Sequence, residues 1–200
     1  EGDFQCVSQI AELAKDMAIC TLARSTLTDI DKAGEALRKA KAPRIHTFIS
    51  TSPVHMKHKL KMGPNAVLEA IGASVTHSRK YAGDVEWSAE DATRTEFDFL
   101  CKAIDVAISS GATVINVPDT VGYSHPAEYG ALIRRWCPRA RLVYCVADLH
   151  HLRAEREAAL VTGIAGSPEI EALREAELAA IAAADGPITH STAEQARLAA

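Results

Sequence analysis

Short apolar runs that read as buried strands alternate with amphipathic helical stretches along about the first 150 residues, and no other feature restricts the fold as much. Residues 3–16 set Phe4, Val7, Ile10, Ala11 and Ala14 on one helical face, and Met17 to Leu22 then reads as a buried strand. Thr28 or Asp29 is placed to cap a helix reaching Ala40. Pro43 to Ile49 is the next strand and ends in the polar turn Ser50-Thr51-Ser52-Pro53. A long helical region from Pro53 to Tyr81 is interrupted at Gly63-Pro64, where proline removes a backbone donor. Asp84 to Ser88 is a strand, Thr93 is placed to cap a helix to Ser110, and Ala112 to Val117 is a further strand. A helix over 126–135 then leads to a fifth strand, Arg141 to Val146.

Strands that alternate with crossover helices make the class α/β with parallel pairing. Five such strands suit either part of a (β/α) barrel or a doubly wound sheet, since a whole eight-fold barrel takes ~250 residues. Composition shifts in the last part of the chain. Residues 151–200 hold 15 alanines against 21 in the preceding 150, and carry the whole net charge of −4, which places a seam near 132–150. The expected organisation is therefore a barrel-like segment over 1–135 and a diverged α/β segment over 136–200. Beyond His151 the second reads as one long helix interrupted between Gly163 and Pro168, a short strand at Pro187 to His190 and a final helix from Ser191.

The same charge balance, with a pI near 6.1, supplies no basic surface for nucleic acid or an anionic membrane. No apolar run approaches the roughly 20 residues that span a bilayer, and the start has no leader pattern, so the expected location is cytoplasmic. Cys6, Cys20, Cys101, Cys137 and Cys145 are odd in number and lack CxxC spacing, so buried free thiols are expected rather than disulfides or metal ligands.

Chemistry in parallel α/β folds gathers at the carboxyl ends of strands. Three strand ends carry polar groups here: Arg44 to Phe48, Val85 to Asp91, and Asn116 to Tyr123. Each has an ordinary structural role as well. His46 suits a hydrogen-bonded core position, Glu90 a helix cap, and Asn116 and Thr120 a turn.

Taken in order, Arg-Ile-His-Thr-Phe-Ile-Ser-Thr-Ser-Pro at 44–53, Glu-Asp-Ala-Thr-Arg-Thr at 90–95 and Asn-Val-Pro-Asp-Thr-Val-Gly-Tyr at 116–123 resemble the catalytic barrel of the 2-isopropylmalate synthase family. Gly2-Asp3-Phe4 and Leu22-Ala23-Arg24 match it too, so the resemblance runs from Gly2 to about Arg135. It implies a partial TIM barrel and an acyltransferase of leucine biosynthesis. The reaction implied is a Claisen-type condensation of acetyl-CoA with 2-ketoisovalerate on a divalent metal (Mg, Mn or Zn), in a homodimer. By motif position, the resemblance makes Glu90 the catalytic carboxylate, with a pKa raised by burial if it relays a proton. It places His46, Ser88, Asn116, Pro118 and Thr120 around the substrate, Thr120 donating to its carboxylate. The resemblance also implies an apolar wall from Cys20, Phe48 and Pro118, which does not by itself select one keto acid. A homocitrate or citramalate synthase relative, and a catalytically inactive chimeric α/β scaffold, are the alternatives.

The family's metal ligands lie in an Arg-Asp-Gly-Glu-Gln motif on its first strand and a His-x-His motif on its seventh, and this sequence contains neither. The chain is expected to start after the second strand of that barrel. Its His150-His151 pair has the wrong spacing for shared ligation, because successive side chains of extended backbone point to opposite faces. Residues from about 137 to 200 loosely resemble a nucleotide-sugar glycosyltransferase segment.

Overall fold

A computed structural model describes residues 2–122, 124, 130, 134, 135, 138, 139, 141–146, 149–163 and 166–189. The chain divides into two compact units, Glu1–Tyr123 and Ser124–Ala200.

The first unit runs α1 (Gly2–Leu13), β1 (Ile19–Arg24), α2 (Leu27–Ala36), β2 (Pro43–Ser50), a short α3 (Pro53–His55) continuing into a π-helical turn (Met56–Leu60), and α4 (Pro64–Ser78). It goes on through β3 (Asp84–Glu90), a 3-10 turn (Ala92–Arg94), α5 (Phe97–Ser109) and β4 (Val114–Asn116). The four strands form one sheet in the order β1-β2-β3-β4 with every pairing parallel. This is a partial TIM barrel: four parallel strands alternating with helices, half of the eight that close such a barrel.

One face of this sheet is the core. Ile45, Thr47 and Ile49 of β2 and Val85, Trp87 and Ala89 of β3 alternate onto it and are buried. Against it pack Val67, Ile71 and Val75 of α4, spaced four apart as one helical stripe, and Leu100, Ala103 and Ala107 of α5, whose small residues let that helix approach closely. Trp87 is fully buried at the centre, where truncation to alanine would cost about 3–5 kcal/mol. A second cluster joins Ile19, Ala23 and Ile45 to Ile30, Ala33 and Leu37 at α2.

The opposite face is open, and this corrects the expectation for β1. The strand lies at Ile19–Arg24 rather than Met17–Leu22, and its burial alternates instead of being continuous. Leu22 is 65% exposed and Cys20 is exposed beside it, because they point to the side that only a closed barrel would cover. Cys6 is exposed as well, on α1. The described cysteines Cys6, Cys20 and Cys101 are thiols outside any disulfide, but the burial expected of the first two is not found. Helix α1 buries only Ala11 fully, leaving Phe4 and Ile10 of the expected apolar face partly in solvent.

Two helix starts, those of α2 and α5, differ from the sequence reading, while α4 starts where the sequence placed the interruption at Gly63-Pro64. Thr26, not Thr28 or Asp29, caps α2 by accepting from the Asp29 backbone N–H. The long helical region breaks at Lys61, which takes a left-handed conformation (φ 54°), and restarts with Pro64 in the first turn of α4. Thr93 does not cap α5; its hydroxyl donates to Asp119 Oδ1 at 2.9 Å, and α5 begins at Phe97.

The second unit contains β5 (Val143–Val146), α6 (His150–Thr162), α7 (Pro168–Ala182) and β6 (Gly186–Thr189). The expected fifth strand pairs in parallel with β6 in a sheet of its own. Asp185 pins that pairing, its backbone N–H donating to Leu142 O and its carboxylate accepting from the Leu142 N–H, both at 2.7 Å. Gly163 (φ 74°) ends α6 in the left-handed conformation that glycine adopts without a Cβ penalty, and Ser167 caps α7. Most of the expected helix at 126–135 and the final helix from Ser191 lie outside the described residues.

Candidate functional site

Strand parity builds the site. In a strand, residues two apart share a face, so Cys20, Leu22 and Arg24 stand together with Arg44, His46 and Phe48, with Asp84, Glu86, Ser88 and Glu90, and with Asn116. All lie on the open face, opposite the helix-packed core.

The polar groups on it fall into two levels. His46 is level with Glu86, and Ser50 with Glu90, four residues and about 13 Å further along the strands. At the lower level His46 Nε2 is 2.5 Å from Ser88 Oγ and 3.7 Å from Glu86 Oε1. Burial pushes the His46 imidazole below its ordinary value and Arg44 adds to this, against a smaller upward pull from Glu86, so the ring is neutral at neutral pH. Arg44 itself is tied to Asp84 at 2.7 Å and stands 3.6 Å from Glu86. Although the residue is exposed, partial desolvation of its sulfur and the Glu86 carboxylate raise the Cys20 thiol, with Arg44 opposing them.

At the upper level Glu90 ends β3 with a carboxylate that accepts from Lys59 Nζ at 2.7 and 2.8 Å and from Ser50 Oγ. Burial alone would raise its pKa. The Lys59 and Ser50 hydrogen bonds and the Lys59 charge outweigh that, so the carboxyl is held below its usual value. The raised pKa considered from sequence is reversed, because Lys59 and Ser50 both reach the Glu90 carboxylate.

Asp91 then turns the chain in a left-handed conformation (φ 65°) with no exposed surface. Its carboxylate accepts from Arg94 Nε at 2.7 Å and Nη2 at 2.8 Å, and its N–H donates to Thr120 Oγ1 at 2.9 Å. His55 Nδ1 stands 3.3 Å from Asp91 Oδ2 without the alignment of a hydrogen bond. This turn holds the loop after β4 against the end of β3.

The six residues singled out from sequence therefore sort as follows. His46 and Ser88 touch, and Asn116 is paired in register with Ser88. Glu90 lies at the upper level, next in sequence to the Asp91 turn that engages Thr120. Pro118 is half-buried in the loop just past β4. Sequence reasoning missed Glu86, Lys59, Ser50 and Asp91. Glu86 was within reach, two residues before Ser88 on a strand where every second residue shares a face. Lys59 was not, since it comes from the π-helical turn 31 residues before Glu90 and no local pattern links the two.

The HMGL-like family model matches residues 1–152, three-quarters of the chain and all of the open-face residues. The chain belongs to the HMGL-like family. Among curated relatives, 2-isopropylmalate synthase of Caulobacter vibrioides is 65% identical over 133 residues, which is 66% of this chain and 25% of that protein. The 2-isopropylmalate synthases of a Bradyrhizobium species and of Rhodopseudomonas palustris are each 56% identical over 135 residues, 68% of this chain and 26% of theirs. The chain thus spans about a quarter of the length of these relatives. The HMGL-like match also continues past residue 135, where the sequence resemblance was expected to end, into the start of α6.

Proposed function

We propose that this chain supplies part of the catalytic barrel of a 2-isopropylmalate synthase-type acyltransferase, condensing acetyl-CoA with 2-ketoisovalerate. The observation that carries this reading is 65% identity over 133 residues to a protein of that name. In this reading a methyl proton leaves acetyl-CoA, the resulting enolate carbon bonds to the keto carbon, the alkoxide takes up a proton, and water cleaves the thioester to release CoA. Glu90, being ionised, is the proton acceptor, and Lys59 and Ser50 orient it while lowering its basicity. Ser88, His46, Asn116 and Pro118 line the keto acid. Thr120 Oγ accepts from Asp91, which leaves its own proton to donate to the substrate carboxylate. A homodimer in the cytoplasm belongs to the same reading, and among the described residues no helix is long and apolar enough to cross a membrane.

HMGL-like enzymes typically use a divalent metal, which when bound polarises the keto acid. The residues present do not fit that centre, whose ligands come from an aspartate motif and a His-x-His motif. The two ligand motifs are missing from the sequence, and among the described residues the one group spaced for a metal is Cys20, His46 and Glu86, which includes a sulfur.

The test is a segment exchange. The matched 133-residue stretch of the Caulobacter vibrioides enzyme is replaced by that of this chain, and free CoA is measured with acetyl-CoA, 2-ketoisovalerate and Mg²⁺ or Mn²⁺. The hybrid is expected to release CoA and to lose that activity with Glu90→Gln. A folded hybrid that is inactive, or that turns over only a different 2-keto acid, overturns the proposal.

A further inference from the structure

The lower level of the open face has an arrangement that neither the substrate reading nor the family's metal motifs account for. Cys20, His46 and Glu86 come from three adjacent strands, β1, β2 and β3, and parity turns all three to the same side. Their ligand atoms, a thiol sulfur, an imidazole nitrogen and a carboxylate oxygen, lie within 4.8 Å of one another. We propose that Cys20, His46 and Glu86 form a binding site for a zinc-type divalent cation.

The donor set points to the class of ion. Sulfur, nitrogen and oxygen together suit zinc or cobalt, whereas magnesium and calcium take oxygen alone. Zinc–sulfur bonds of about 2.3 Å and zinc–nitrogen or –oxygen bonds of about 2.0–2.1 Å put tetrahedral ligand atoms roughly 3.3–3.6 Å apart. The His46 Nε2 to Glu86 Oε1 distance of 3.7 Å is already close to that. The cysteine sulfur, no more than 4.8 Å from the other two ligand atoms, needs to close by at most about an ångström, within reach of a χ1 adjustment on an exposed strand position.

The surroundings accommodate the ion. Three protein ligands leave a fourth position for water, as in open zinc sites. Ser88 Oγ, now 2.5 Å from His46 Nε2, lies where it can hydrogen-bond that water once the imidazole turns to the metal. A divalent cation with one thiolate and one carboxylate is neutral overall. Arg44, 3.6 Å from Glu86 but bonded to Asp84, therefore meets no net positive charge. Cys20 is exposed, which gives the ion its way in.

Cobalt(II) makes the site visible. The reduced, metal-free chain is titrated with Co²⁺ and then Zn²⁺, following the thiolate-to-cobalt charge-transfer band and the d–d bands of tetrahedral cobalt. One cobalt per chain with both signatures is expected, and zinc should displace it. Cys20→Ser should abolish the charge-transfer band. His46→Gln and Glu86→Gln should each weaken binding by more than about tenfold, since even residues that only support metal ligands cost that much. Cys6→Ser and Cys101→Ala should change nothing. X-ray absorption on the zinc-loaded parent chain, which needs no variant to fold, should count one sulfur ligand. An absent band, a band that survives Cys20→Ser, or a zinc shell without sulfur overturns the proposal. Because the readout is binding alone, this result is independent of whether the chain condenses acetyl-CoA.

Discussion

Asp91 joins the end of β3 to the loop that carries Thr120, and replacing it tests whether that turn holds the upper level together. Asp91→Ala removes two charge-assisted hydrogen bonds to Arg94 and leaves a residue without a local hydrogen bond at φ 65°. Arg94 is 32% exposed, so water partly replaces the lost carboxylate, and the pair is worth about 2 kcal/mol rather than the ~3–5 kcal/mol of a fully buried one. The left-handed backbone adds about 1 kcal/mol for alanine and little for asparagine, which tolerates that region. Asp91→Ala should therefore destabilise the first unit by about 3 kcal/mol, and Asp91→Asn by about 1–2 kcal/mol. Urea unfolding followed by Trp87 fluorescence in a Trp136→Phe background measures both, with an unchanged m-value expected. The pH dependence supplies a second check. Burial raises the Asp91 carboxyl, but the hydrogen bonds from Arg94 and Ser52 and the charges of Arg94 and His55 outweigh it and hold the carboxyl below its usual value. A depressed folded-state pKa stabilises fully above the unfolded value near ~3.9 and is lost as pH falls through the lower folded value. The gap between wild type and Asp91→Asn should thus be constant at neutral pH and shrink below about pH 4. An Asp91→Ala cost under about 0.5 kcal/mol, or an asparagine as costly as the alanine, would refute the reasoning.

Lys59→Met should let the Glu90 carboxyl titrate higher, since burial then acts with less opposition; carbon-13 NMR of Glu90 reads this, and an unmoved titration contradicts the assigned ion pair. Gly34→Ala should cost about 1–3 kcal/mol in thermal or urea unfolding, because the added Cβ would fall 2.3 Å from Tyr81 Cγ. Displacing that ring also breaks the 2.6 Å bond from Tyr81 Oη to Asp31, so a neutral Gly34→Ala would mean that α2 and Tyr81 do not pack as described. In the second unit, Glu177 is 2% exposed and accepts from the His150 and His151 backbone N–H groups at 2.8 and 3.0 Å and from His151 Nδ1 at 2.6 Å. Glu177→Ala should cost about 2–3 kcal/mol and speed amide exchange at the start of α6, while unchanged exchange there would exclude the glutamate as its anchor.

Parallel strands alternating with helices were legible because hydrophobic periodicity is local, and β2 and β3 fall where that pattern puts them. His46, Ser88, Glu90 and Asn116 were singled out from sequence by motif order in the family resemblance, and strand register sets all four on one face. Helix starts were less legible, because Thr26, Thr28 and Asp29 all suit a cap and only the backbone path chooses Thr26. The fifth strand was found as a strand but not as a partner of β6, some 40 residues later, because register between distant segments leaves no local signature.

By itself, then, the sequence determined the α/β class, the family and the set of polar residues at the strand ends, all of which depend on residue type and spacing along the chain. Tertiary structure alone decided the downward shift of the Glu90 carboxyl, by carrying Lys59 to it across 31 residues, and the meeting of Cys20 with His46 and Glu86, by setting three strands side by side. Charge and ligation act over a few ångströms of space, whatever the separation in sequence, so only the folded chain specifies them.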